Sequence, residues 1–333
     1  MNAWLGPLYA VLGVLGFSFK AILIKLAYRA APVDPLALLT LRMIYSAPFF
    51  IVMAWWAGRA PRARPIERPD ALRLIGLGFI GYYLSSLLDF MGLQYISASL
   101  ERLVLFLYPT IVVLLSAVFL RQPVTRRAMA ALALSYAGIA LAVWHDIRVS
   151  GDAASIALGS ALVFGSAVGY ATYLVGAGGV IARLGSSRFI AWAMLASTAF
   201  VTLQFVVTEL PSCFALRCSP SGRPIGLTRP LAALDVPWSV HALTLAMAVF
   251  STVLPTWMIA ESVRRIGASA SSLVGSLGPM FTIGLGALLL GEAVNLLQLV
   301  GVALVLAGVM LVSRRSPARR DGIVRNAPRG GAV

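Results

Sequence analysis

Apolar residues run along this chain in long blocks separated by short polar, proline-rich or glycine-rich stretches. They neither alternate at every second position nor stripe one helix face. At 1.5 Å per residue, about 20 apolar residues span the roughly 30 Å hydrocarbon core of a bilayer. Windows of that length predict ten transmembrane helices, at 7–28, 35–57, 71–93, 98–120, 126–145, 157–180, 188–209, 239–260, 267–290 and 294–313. The breakers are Ala31–Pro35, the Pro/Arg stretch 58–70 and the Pro/Gly-rich stretch 211–237. Short links such as Gly291–Asn295 predict helical hairpins. The first run reads as a span and not a signal peptide, because no basic segment precedes it and it carries two lysines.

Composition removes the soluble alternatives. Hydrophobic residues make up 59% of the 333 residues and charged residues 12%, more apolar surface than a soluble fold of this size can hide. The net charge of +15 comes from arginines scattered between apolar blocks, so it points to membrane topology and not to nucleic acid. With the N-terminus placed in the cytoplasm, 18 arginines fall in inside segments and 5 in outside ones. The positive-inside rule therefore predicts a multi-pass protein of the inner (cytoplasmic) membrane with both termini cytoplasmic. Residues 209–238 form the long external loop. Cys213 and Cys218 within it fit either a disulfide or two free thiols. Residues 314–333 read as a disordered cytoplasmic tail.

Shifted by 170 residues, two stretches of the chain align without a gap. Ile96-Ser97-Ala98-Ser99 meets Ile266-Gly267-Ala268-Ser269, Leu107-Tyr108-Pro109 meets Leu277-Gly278-Pro279, and Ala137-Gly138 meets Ala307-Gly308. Five spans per half is an odd number, so the second half enters the membrane upside down. The fold class expected is an all-α polytopic membrane protein of ten transmembrane helices in two inverted five-helix repeats, 7–145 and 157–313. Inverted repeats are common in secondary transporters, which bind near the midplane between the halves.

Gly16-Phe17-Ser18-Phe19-Lys20, Asp34-Pro35, Arg42, Ala98-Ser99-Leu100-Glu101-Arg102, Tyr108-Pro109 and Leu290-Gly291-Glu292 with Gln298 and Gly301 resemble the repeat of EamA-type transporters. The whole chain resembles a member of the drug/metabolite transporter superfamily with two EamA repeats. The resemblance implies alternating access around a central cavity lined chiefly by spans 1, 3, 4, 6, 8 and 9. The first half departs from the pattern, with Arg121-Gln122 where the second has Gly291-Glu292.

Ionisable groups inside spans are costly and are functional candidates by default. Lys20 and Lys25, the only lysines, both lie in span 1, about 140° apart around the helix. Lys20 is expected to line the cavity, and Lys25 either a packed interface or the headgroups. Arg42, Asp89, Glu101 and Arg102 fall at similar depth, as structural ion pairs or as a net-positive vestibule for a carboxylate or other anion. Tyr83 and Trp257 are further cavity candidates. Glu292 is placed to cap span 10. Pro109 and Pro279 are expected to kink repeat-related helices in mid-span and act as gates. The function expected is secondary transport of a small metabolite, anionic, amino-acid-like or drug-like, with proton-coupled export as one form of it. The alternative is a membrane-embedded transferase acting on a lipid-linked substrate. With two histidines and two cysteines, the chain is expected to hold no metal, cofactor or catalytic residue. The partners expected are a small-molecule substrate and membrane lipids, not nucleic acid, with the chain acting as a monomer or homodimer.

Overall fold

The computed structural model describes residues 4–59, 65–119, 126–150, 152–214, 234–275 and 277–313. Among the described residues the regular structure is entirely helical. Helix α1 (Leu5–Ala30) ends where Ala31 turns extended. Asp34 then starts α2 (Pro35–Gly58), its carboxylate accepting from the N–H groups of Leu36 (2.8 Å) and Ala37 (3.3 Å). Pro35 takes the first helical position, where a missing N–H costs nothing. Helix α3 (Arg68–Gly78) passes through a π-helical turn, Phe79–Leu84, into α4 (Ser85–Tyr95) as one rod. Ser97 caps α5 (Ala98–Leu105) by accepting from the Leu100 N–H at 3.1 Å. Then come α6 (Tyr108–Phe119), α7 (Arg126–Ser150) and α8 (Ala153–Leu184). At the start of α8, hydrogen bonds from Ser155 hold the Asp152 carboxyl below the usual carboxylate range. Helix α9 (Ser186–Phe214) precedes α10 (Trp238–Ala248), a second π turn (Val249–Val253) and α11 (Leu254–Gly275). Last come α12 (Gly278–Leu285) with a π turn (Gly286–Leu290), and α13 (Leu296–Ser313).

Among the described residues, seven helical runs are long and apolar enough to cross a membrane. The three other expected spans fall on α7 and on the shorter apolar helices Gly278–Leu290 and Leu296–Gly308. Two boundaries differ from expectation. The chain stays helical across 261–266, where a link between spans was expected, and α9 continues to Phe214, into the expected loop. The side chains of Cys213 and Cys218, and the tail 314–333, lie outside the described residues.

The prolines stand where the backbone of a span is interrupted. The Leu107 N–H bonds Val104 O at 3.1 Å, a tight turn that ends α5, and Pro109 is then the second residue of α6. Likewise the Leu277 N–H bonds Val274 O at 3.0 Å, and Pro279 is the second residue of α12. In a first helical turn proline removes no hydrogen bond, so each proline starts a helix after a break.

Packing pairs each half with the other. Helix α1 runs antiparallel to α11: Gly6, Gly13 and Gly16 approach Ile266, Ile259 and Pro255 so closely that an added Cβ would overlap them. Helix α8 runs antiparallel to the α3–α4 rod in the same manner, with Gly81 on Tyr173, Gly92 on Gly159 and Val163, and Gly176 on Leu77. Helix α2 packs on α9, and α7 on α13. Small residues at these crossings let backbones approach where lipid supplies no hydrophobic drive between helices. The largest buried cluster, including Ile22, Leu38, Met43, Phe90, Met194 and Met247, joins α1, α2, α4, α9 and α10.

Candidate functional site

Lys20 lies on α1 one turn beyond Gly16, which crosses α11 at Pro255. Its ammonium donates to Asp89 Oδ2 at 2.6 Å and lies 3.7 Å from Glu101 Oε1. The Lys20 side chain is 17% exposed, that of Asp89 1% and that of Glu101 0%. Asp89 comes from α4, beyond the π turn, and Glu101 from the first turn of α5. One lysine thus bridges three helices.

Arg42 reaches the same region from α2. Its Nε donates to Thr252 Oγ1 at 3.1 Å, and its guanidinium sits 5.5 Å from the Phe90 ring centroid. Thr252 belongs to the second π turn, and its hydroxyl also donates to Met247 O at 3.1 Å. Arg102 lies against Gly278, where a Cβ would stand 2.9 Å from the guanidinium. Ser18 donates to the Gly278 carbonyl at 3.1 Å from α1. Arg42, Asp89 and Glu101 are buried, and Arg42 Nη1 and Arg102 Nε have no acceptor. Asp89 Oδ1 and both Glu101 oxygens accept no hydrogen bond, although the two carboxylates lie within hydrogen-bond reach of each other beside Lys20. A buried polar group left open costs about 1–3 kcal/mol, more when charged.

The other candidates lie apart. Tyr83 donates to Gln204 Oε1 at 2.7 Å and packs on Phe79 and Phe200. Trp257 is half-exposed and packs edge-on to Tyr9. Lys25 lines a cavity of about 520 Å³ with Tyr28, Arg29, Gln94, Ser97 and Glu292. Glu292 does cap a helix, but not the expected one. Its Oε1 accepts from the Ala98 N–H at 2.9 Å, and its Oε2 from the Ser99 N–H (3.2 Å) and hydroxyl (2.6 Å), closing the N-terminus of α5. The last helix is capped by Asn295, whose Oδ1 accepts from the Leu297 N–H at 3.2 Å. Each histidine has a polar neighbour: Tyr45 Oη lies 2.8 Å from His241 Nδ1, and His145 Nδ1 lies 3.3 Å from Asp146 Oδ1. At the far end of the molecule Arg183 donates to Asp70, and Arg265 bonds Glu261 and lies over Tyr9.

Sequence reasoning missed Thr252, Gly278 and Ser18. The 170-residue shift held the clue for two of them, since it places Thr252 on Tyr82 and Gly278 on Tyr108.

The fold and the seam can be set beside known proteins. A solved crystal structure superimposes on 92% of this chain and 95% of its own, with a TM-score of 0.56 and 20% identity, so the fold is shared. The "Uncharacterized transporter YcbK" of Bacillus subtilis is 30% identical over 298 residues, 89% of this chain and 88% of its own. A "Probable terminal-alkyne amino-acid exporter" of Streptantibioticus cattleyicolor is 29% identical over 269 residues, 79% of this chain and 78% of its own. The EamA-like transporter family model matches twice, over residues 4–144 and 157–314. The chain is a multi-pass membrane protein and belongs to the EamA-like transporter family, with two EamA repeats.

Proposed function

We propose that this chain is a secondary transporter of the cytoplasmic membrane that moves a small amino-acid-like zwitterion by alternating access. The observation that carries the proposal is the set of buried, unpartnered polar atoms of both kinds around Lys20. A free α-amino acid presents a carboxylate and an ammonium a few ångströms apart. Arg42 Nη1 and Arg102 Nε offer donors to the first, and Asp89 Oδ1 and Glu101 Oε2 offer acceptors to the second. The relative named as an amino-acid exporter supports the same class. Asp89 and Glu101 are enclosed here, so the halves must part to admit substrate.

The proposed architecture is ten spans in two inverted repeats with both termini cytoplasmic. Three features support it. The repeats pack reciprocally, first helix against the third rod of the other half. The π turns at 79–84 and 249–253 lie 170 residues apart, as do the breaks before Pro109 and Pro279. The arginine bias sets the orientation.

The test is counterflow of labelled L-amino acids in proteoliposomes, with and without a pH gradient. Counterflow is expected in the native chain and absent in Lys20→Ala at equal insertion. Lys20→Arg should not restore it, because the guanidinium is larger than the ammonium it replaces and, unlike a lysine, does not release its proton. Undiminished counterflow by Lys20→Ala would remove Lys20 from the site, and no counterflow of any amino acid would overturn the substrate class.

A further inference from the structure

The cavity around Lys25 is separate from the Lys20 site. Five residues along α1 place it about 7.5 Å nearer the Arg29 end of the helix. Its walls come from both halves: α1, the end of α4, Ser97 before α5, and Glu292 after the last π turn. At about 520 Å³ it is within the range of small-molecule sites.

Its charges do not cancel locally. Lys25 and Arg29 are one turn apart on the same face of α1. The single acid in the cavity wall, Glu292, has both oxygens committed to Ala98 and Ser99. The hydroxyl protons nearby are committed elsewhere. Tyr28 donates to Phe90 O at 2.8 Å, and Ser97 donates to Asp146 Oδ2 at 3.0 Å while capping α5. Arg29 uses Nη1 on Leu290 O at 2.8 Å, which fixes the guanidinium and leaves its other N–H groups. Among the described residues, the Lys25 ammonium has no acidic oxygen within 4 Å. The exposed Gln94 amide adds a donor at the cavity rim.

We propose that this cavity is a second site, which binds the carboxylate of a small organic solute between Lys25 and Arg29 and holds it apart from the Lys20 cluster. Two cations face one acid in this wall, so the site favours a carboxylate over an ammonium, whereas the Lys20 site presents groups of both kinds. The inference rests on the transport reading for its role, as a waiting position on the substrate path. It does not rest on that reading for binding. Val33 and Leu93 are buried at the cavity floor, while Arg29, Pro32 and Gln94 are exposed at its open mouth, where a dissolved carboxylate can enter.

The chain's having two lysines makes the test direct. Reductive methylation with ¹³C-formaldehyde keeps their charge and gives each labelled amine its own NMR resonance. The resonance missing from Lys25→Arg is the reporter. In lipid-free detergent, sodium acetate should shift it saturably beyond an equal concentration of sodium chloride. L-leucine should shift it as well, and leucinamide, which lacks the carboxylate, should not. Arg29→Gln, checked for an unchanged size-exclusion profile, should weaken acetate by at least about tenfold, the loss of one charge-assisted contact. A shift no larger than with chloride, or one that leucinamide also produces, overturns the proposal. So does a shift that needs phosphatidylglycerol, which would make the cavity a lipid site. A saturable acetate shift in a chain that shows no amino-acid counterflow would overturn the proposed substrate class and leave the carboxylate site standing.

Discussion

Replacing Lys20 by methionine keeps the length of the side chain and removes its charge. The structure fixes what is left behind. Asp89 loses its 2.6 Å partner, and Glu101 loses the cation 3.7 Å away, with both carboxylates fully buried. Breaking a buried pair by removing one partner costs about 3–5 kcal/mol. At about 2 °C per kcal/mol for a chain larger than 150–250 residues, the apparent melting point in detergent should fall by about 6–10 °C. Adding Asp89→Asn and Glu101→Gln removes the stranded charges, and the amides can bond one another. The triple variant should recover all but about 1–2 kcal/mol of the loss. The assay is thermal unfolding at one scan rate and one detergent concentration, since such melting is scan-rate dependent. Equal melting points for the single and triple variants, within about 2 °C, would show that Lys20 does not hold this cluster together. Counterflow should be lost in both, because the triple variant restores packing and not charge.

Three other outcomes follow from the packing, the caps and the arginine bias. Gly92→Ala would place a Cβ 2.6 Å from Val163 Cγ2 and 2.9 Å from Gly159 O, so it should cost about 1–3 kcal/mol in thermal unfolding, whereas Gly178→Ala, with nothing within 4 Å, should be neutral or slightly stabilising. Glu292→Ala removes three hydrogen bonds from the start of α5 and should cost about 2 kcal/mol or more, with Glu292→Gln retaining part of the cap; equal melting of native and Glu292→Ala chains would refute the capping role. Reporter fusions after residues 62, 124, 148, 220 and 325 should read inside, inside, outside, outside and inside, and a cytoplasmic reading at 220 would break the inverted-repeat proposal.

Much of the fold was legible because apolar block length, breakers and Asp-Pro caps are local properties. Asp34-Pro35 ended one helix and began the next as its chemistry dictates. The charged cluster was legible as composition: Lys20, Arg42, Asp89, Glu101 and Arg102 stood out as ionisable residues in apolar runs. Their pairing was not, because which carboxylate meets Lys20 depends on helix rotation and on crossing distances set by glycines elsewhere. Glu292 shows the limit well. Its sequence neighbourhood pointed to the helix that follows it, while the fold brought it to a helix almost 200 residues earlier. The prolines were legible as interruptions of a span, but the tight turn that precedes each one was not, because it depends on backbone bonds that residue type alone does not specify.

The π turn at Phe79–Leu84 fixes the angular phase of its rod. Such a turn holds about one residue more than an α turn. Asp70 and Asp89 stand 19 positions apart, and setting aside that extra residue leaves 18, about five whole turns at 3.6 residues each. The insertion therefore brings the carboxylate that meets Arg183 and the one that meets Lys20 onto the same azimuth of the rod. An uninterrupted α-helix would set them about 100° apart. A one-residue deletion within 79–84 would thus leave a regular, well-formed helix that can satisfy one end of the molecule but not both. A sequence scan would score it as a harmless improvement in helicity, yet it would put the two ends of the rod out of step.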